Sequence, residues 1–254
     1  MLNYLKHLDV DFSWGDVDTK TCLPVFLTLL FFVLFWFTTQ SPSLKSFFHK
    51  KTKHAHVSFF FFSKVFGFFC FGVFPLLFCL FFIPSMSFCD YGLIFIPKTA
   101  LFSFFWILLL SIIVVPLAFY SAKKDKNLKN YPQIRANVWT KKTLFISLLG
   151  WFLYLLGYEF LFRGVLFFPL VSSIGVWPSI FINISLYSAT HIPKGLDETL
   201  GAIPLGIVLC VLTLYSGTIW IAFFVHLAMA WTNNLTSLKY NTNITFQKNG
   251  RQQK

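Results

Sequence analysis

From residue 143 to residue 235 the chain is almost continuously apolar, and a run of that length admits few folds. A stretch of roughly 20 apolar residues is long enough to cross a bilayer as a helix. Helices dominate there because backbone N–H and C=O groups must be satisfied internally where water is excluded. Polar breaks at 172–175, 192–198 and 216–217 divide the run into candidate spans 143–171, 176–191, 199–215 and 218–235. Upstream, 23–37, 65–83 and 100–119 are three more. These segments predict an all-α fold: a polytopic transmembrane helical bundle of about seven to eight spans by length. The eighth arises if Gly157 splits the stretch 143–171. Pro75 and Pro116 fall inside spans, where kinks are tolerated. Lys64, beside the second span, is expected to snorkel to the interface.

Composition agrees with a bilayer setting. Charged residues are 12% of the 254, against about 25% in soluble domains. The net charge of +12 does not point to nucleic acid, because the basic residues lie between apolar segments and at the C-terminus. One basic loop holds Lys45, Lys50, Lys51 and Lys53; another holds Lys123, Lys124, Lys126, Lys129, Arg135, Lys141 and Lys142; the tail holds Lys239, Lys248, Arg251 and Lys254. Such clusters are retained on the cytoplasmic side. The acidic N-terminus (Asp9, Asp11, Asp16, Asp18) and the loop around Asp90 are then outside, a pattern seven spans satisfy. The expected location is the cell (inner) membrane, multi-pass, with the N-terminus outside and the C-terminus cytoplasmic.

No cleavable signal peptide is expected, because the first 20 residues lack an apolar core. Four divisions follow: an extramembrane segment 1–22, spans and basic loops 23–142, a transmembrane core 143–236 and a basic tail 237–254. Cys22, Cys70, Cys79, Cys89 and Cys210 contain no CxxC and read as apolar fillers. The run 50–56 (Lys50, Lys51, Lys53, His54, His56) reads as a solvated loop near anionic lipid or as a metal-binding tract.

Ionisable side chains inside a bilayer are costly and call for a reason. Glu159 and Arg163 are four apart and share a helix face. His191 ends one span, Glu198 follows it, and His226 sits inside the last span. Each has a structural reading alone: an ion pair pinning the bundle, an imidazole on a helix C-terminal dipole, a hydrogen-bonded packing histidine. Together they suggest a wet cavity reached from the cytoplasm. His226 lies about nine residues from its span's cytoplasmic end, or roughly 14 Å. A buried carboxylate can take a proton from water, and an imidazole can orient that water or stabilise an oxyanion.

These residues resemble the CPBP intramembrane protease family, also called the Abi or CAAX prenyl protease family. Its first motif, Glu-Glu-x-x-x-Arg, is matched by Tyr158-Glu159-Phe160-Leu161-Phe162-Arg163-Gly164. Its second, Phe-x-x-x-His, is matched by Tyr187 to His191; its last, His-x-x-x-Asn, begins at His226. The stretches His191-Ile192-Pro193-Lys194-Gly195 with Glu198, and Ser216-Gly217-Thr218-Ile219-Trp220, are also similar. The resemblance runs from 143 to about 234. It implies a glutamate-dependent membrane endopeptidase with catalytic residues Glu159, Arg163, His191, Glu198 and His226, acting on a peptide or protein substrate. Tyr158 replaces the family's first glutamate, and a phenol is a poor general base at neutral pH; Glu159 or Glu198 is left as base. Ala230 replaces the final asparagine, for which Asn233 is the expected substitute. The site is either metal-free or a zinc centre using His191 and His226. Two further classes stay open: a degenerate membrane binding or bacteriocin-immunity protein on the same scaffold, and a transporter with a proton relay, against which the lack of repeats counts.

Overall fold

The structure, a computed structural model, describes residues 12–247. Asp9, Asp11, Lys248, Arg251 and Lys254 lie outside the described residues. Each predicted span is helical. Helix α1 is Asp16–Gln40, followed by a short α2, Pro42–Lys51. Helix α3 is Ala55–Phe82, α4 is Pro97–Ala122 and α5 is Lys141–Ile174. Then come α6, Val176–Ala189, α7, Leu196–Ser216, and α8, Trp220–Tyr240. Among the described residues five helices, α1, α3, α4, α5 and α7, are long and apolar enough to cross a membrane. Helix α6 has 14 residues, about 21 Å at 1.5 Å per residue, shorter than the hydrocarbon core of roughly 30 Å.

The boundaries follow local chemistry. Ser41 Oγ accepts the Leu44 N–H at 3.4 Å and Pro42 opens α2, so the chain turns there. Thr140 Oγ1 accepts the Thr143 N–H at 3.2 Å at the start of α5. Gly175, Gly195 and Gly217 have φ of +84°, +107° and +67° at the turns between the last four helices, where a side chain would be strained. Helix α3 contains a wide π turn at Phe69–Val73, just ahead of Pro75. The proline ring and missing N–H disfavour regular bonding at that point.

Gly157 does not split α5, and no eighth span forms. The glycine is instead where α3 and α5 touch. A Cβ at 157 would lie 2.9 Å from Phe68 Cα, and one at Gly72 would lie 3.3 Å from Gly157 Cα. Small residues let membrane helices approach this closely. Helix α4 buries Leu110, Val114, Ala118 and Ala122 at four-residue steps and leaves Leu101, Phe105, Ile112 and Leu117 exposed. Its buried edge packs with Leu209, Leu212, Ile221 and Val225 of α7 and α8. The exposed face is apolar, as a lipid-facing helix requires.

Lys64 does not snorkel outward. Its side chain is 5% exposed, with Nζ 3.5 Å from the Trp151 ring centroid and 4.1 Å from that of Tyr154. The ring faces draw the ammonium into the protein.

The basic stretches meet at one end of the bundle. Strand β1, Val138–Thr140, pairs in parallel with β2, Thr245–Gln247. Lys126 pairs with Asp197 at 3.1 Å, and Lys45, Arg135 and Lys194 border one cavity. At the opposite end the Ile219 N–H donates to Gly92 O at 3.2 Å, and Trp220 Nε1 donates to Ile94 O at 2.7 Å. His49 and His56 rings meet edge to face at 5.1 Å. Among the described residues no three His, Cys, Asp or Glu side chains gather as metal ligands there or elsewhere, and all five cysteines are free.

Candidate active site

Helix α5 carries Glu159 and Arg163 through the centre of the bundle. Its turn widens to a π helix at Phe160–Leu166, so Arg163 lies within the wide turn and Glu159 just before it. Such bulges are frequent at functional sites. Both side chains are fully buried, with Arg163 Nε 3.7 Å from Glu159 Oε2. That separation is an ion pair without a hydrogen bond. Arg163 Nη1 instead donates to Asn183 Oδ1 at 2.7 Å, and Asn183 Nδ2 donates to Phe162 O at 2.5 Å. The guanidinium also lies over the Tyr187 ring at 4.5 Å. Helix α6 thus clamps the widened turn of α5.

The other carboxylate oxygen reaches α8. Glu159 Oε1 is 2.6 Å from His226 Nδ1. A carboxylate accepts, so Nδ1–H is the donor, and in the neutral ring Nε2 carries the lone pair. His191 is fixed in the same sense, because its Nδ1 is 2.9 Å from Tyr187 O and a carbonyl can only accept. Both imidazoles therefore present Nε2 as their basic nitrogen. His191 lies in the turn 190–195, outside the spanning helices, where burial and then the Lys194 charge push it down to about 3. It is neutral at physiological pH.

Tyr158 lies between the two histidines. Its ring is edge-on to His191 at 6.3 Å and to His226 at 5.7 Å. Thr190 Oγ1 donates to Tyr187 O at 2.7 Å, so the Tyr158 hydroxyl, 2.6 Å away, donates to Thr190.

The structure therefore brings Glu159, Arg163 and His226 into direct contact and sets His191 beside them across Tyr158. Glu198 is not part of this cluster. It pairs with Lys194 at 3.7 Å on the wall of the cavity at the basic end. Asn233 is not the buried asparagine of α8. Asn234 is, and its Oδ1 accepts from Ser147 at 3.3 Å. Asn183 was missed from the sequence, although an amide inside an apolar helix signals a buried partner.

A catalytic zinc takes three protein ligands. His191 and His226 offer two Nε2 atoms, and Glu159 already serves His226 and Arg163. With no third ligand gathered among the described residues, the donor set does not fit a zinc centre.

Fold and site together define a membrane-embedded helical bundle with a buried carboxylate–imidazole pair. Residues 140–232 match the family model described as type II CAAX prenyl endopeptidase Rce1-like. The match covers less than half of the 254 residues and includes Glu159, Arg163, His191, Glu198 and His226. No curated protein and no solved structure matches the chain.

Proposed function

We propose that this protein is an intramembrane endopeptidase of the CAAX type, hydrolysing a peptide bond with activated water. The contact between Glu159 Oε1 and His226 Nδ1 at 2.6 Å carries the reading. It is the arrangement in which a carboxylate fixes an imidazole tautomer and balances the imidazolium that forms. His226 Nε2 takes a proton from water as the water oxygen attacks the scissile carbonyl carbon. The same proton passes to the leaving nitrogen as the C–N bond breaks. Arg163 positions Glu159, and the neutral Nε2 of His191 accepts a hydrogen bond that orients the water. The reaction needs no group beyond the chain's own residues. The protein lies in the cell membrane with its basic end cytoplasmic, and the substrate is a peptide presented at that face.

Tyr158 favours a second reading, a catalytically inactive binding or immunity protein. It fills the first-glutamate position with a phenol and packs against both imidazoles. Purified protein in liposomes, assayed for cleavage of CAAX-type peptides, separates the two. We expect Glu159→Gln, His226→Ala and His191→Ala to lose activity by at least about a hundredfold, and Glu198→Gln to retain it. Cleavage by all four variants at the parent's rate overturns this assignment of the site, and no cleavage by the parent leaves binding as the function.

A further inference from the structure

We infer that the cavity at the basic end binds the phosphate headgroup of an anionic membrane lipid. The cavity is about 620 Å³, within the roughly 300–1,000 Å³ typical of ligand pockets. Lys64 lines it while only 5% exposed. Its ammonium rests on the rings of Trp151, Tyr154 and Phe60 and has no ion pair or hydrogen bond with the described residues. A cation held inside a membrane bundle without an anion calls for one.

The rest of the wall has the same sign. Lys45, Arg135 and Lys194 join Lys64, and Glu198 is the one acidic side chain of the lining. Four basic side chains face one carboxylate across this lining. Lys45 and Arg135 donate to the neutral oxygens of Gln40 and Lys129, and neither has an ion pair among the described residues. Cations arranged around a cavity suit the several oxygens of a phosphate, which an arginine fork also matches. Basic pockets between membrane helices take such headgroups.

The apolar side of the cavity supplies a path for the acyl chain. Phe32, Phe35 and Trp36 of α1 line it. A soluble phosphate would leave these aromatic walls unused. The lining excludes Glu159, Arg163, His191 and His226 and adjoins them through Thr190, the partner of Tyr158; the inference stands whether or not the protein cleaves peptides.

Native mass spectrometry of the full chain in neutral detergent tests it, with phosphatidylglycerol, phosphatidylcholine and glycerol phosphate as ligands. We expect phosphatidylglycerol to bind at least roughly tenfold more tightly than phosphatidylcholine, the step that one charge-assisted contact supplies. Lys64→Met should lose that preference. The double variant Lys45→Gln/Arg135→Gln changes the rim alone, so it tests the site even if the Lys64 variant fails to fold; it too should lose the preference. Equal binding of the two lipids, or an unchanged preference in the rim variant, overturns the inference. So does glycerol phosphate binding as tightly as the lipid, or a free-carboxylate peptide binding where the lipid does not.

Discussion

Glu159 serves two partners with its two carboxylate oxygens, Oε1 to His226 and Oε2 toward Arg163. Removing its charge leaves a fully buried guanidinium with, among the described residues, the Asn183 amide and a ring face as partners. Breaking one side of a buried pair costs about 3–5 kcal/mol. Glu159→Gln should therefore lower the thermal unfolding midpoint in detergent as well as abolish activity. The double variant Glu159→Gln/Arg163→Met should recover part of the lost stability. A midpoint for Glu159→Gln equal to the parent's would show that the pair is not the central strut described above. Half of this cluster is legible in the sequence. Glu159 and Arg163 announce themselves by four-residue spacing in an apolar stretch. His226 lies 67 positions from Glu159, and no periodicity relates two separate helices. Glu198 stands apart from the pair because proximity in sequence to His191 does not fix the direction of a side chain past the glycine turn at 195.

Hydropathy located the helices, because a bilayer selects long apolar segments, although α6 is a short helix of 14 residues. It could not show how they touch. Gly157 offers an eighth span on sequence if it splits its stretch, yet it is a point where the α5 backbone comes close to that of α3. Gly157→Val should push the two backbones apart, since its Cβ would lie 2.9 Å from Phe68 Cα. Overpacking of this kind costs about 1–3 kcal/mol, and the shift moves Glu159 two residues away on α5. Thermal unfolding and cleavage should fall together in this variant, whereas Gly201→Ala, with open space around it, should leave both unchanged. The short α2 and the β1–β2 pair carried no hydropathy signal. The strands join segments distant in the chain, while α2 packs Phe48 on Phe59 and Phe62 of the next helix.

At the scale of the whole molecule, charge and shape coincide. Arg135 and Lys194, far apart in sequence, border one cavity with Lys45. The sequence alone separates the loops by sign; the fold adds that they adjoin one another. Reporter fusions at the C-terminus and after Asp90 should reside on opposite faces of the membrane, the C-terminal one in the cytoplasm. Both fusions on one face would refute the orientation.

The parallel pairing of Val138–Thr140 with Thr245–Gln247 makes the second strand a tether. Thr245 N–H donates to Asn137 O at 2.8 Å, and the strand it holds leads directly into the helix bearing Glu159. Fully buried Trp139 lies in that strand, clustered with Tyr131, Ile134 and Ile244. Shortening the chain after Tyr240 should therefore expose residues 131–140 to protease and to hydrogen exchange, while the helices stay protected. A distant amputation would thus slacken the very leash that keeps the reactive helix in register.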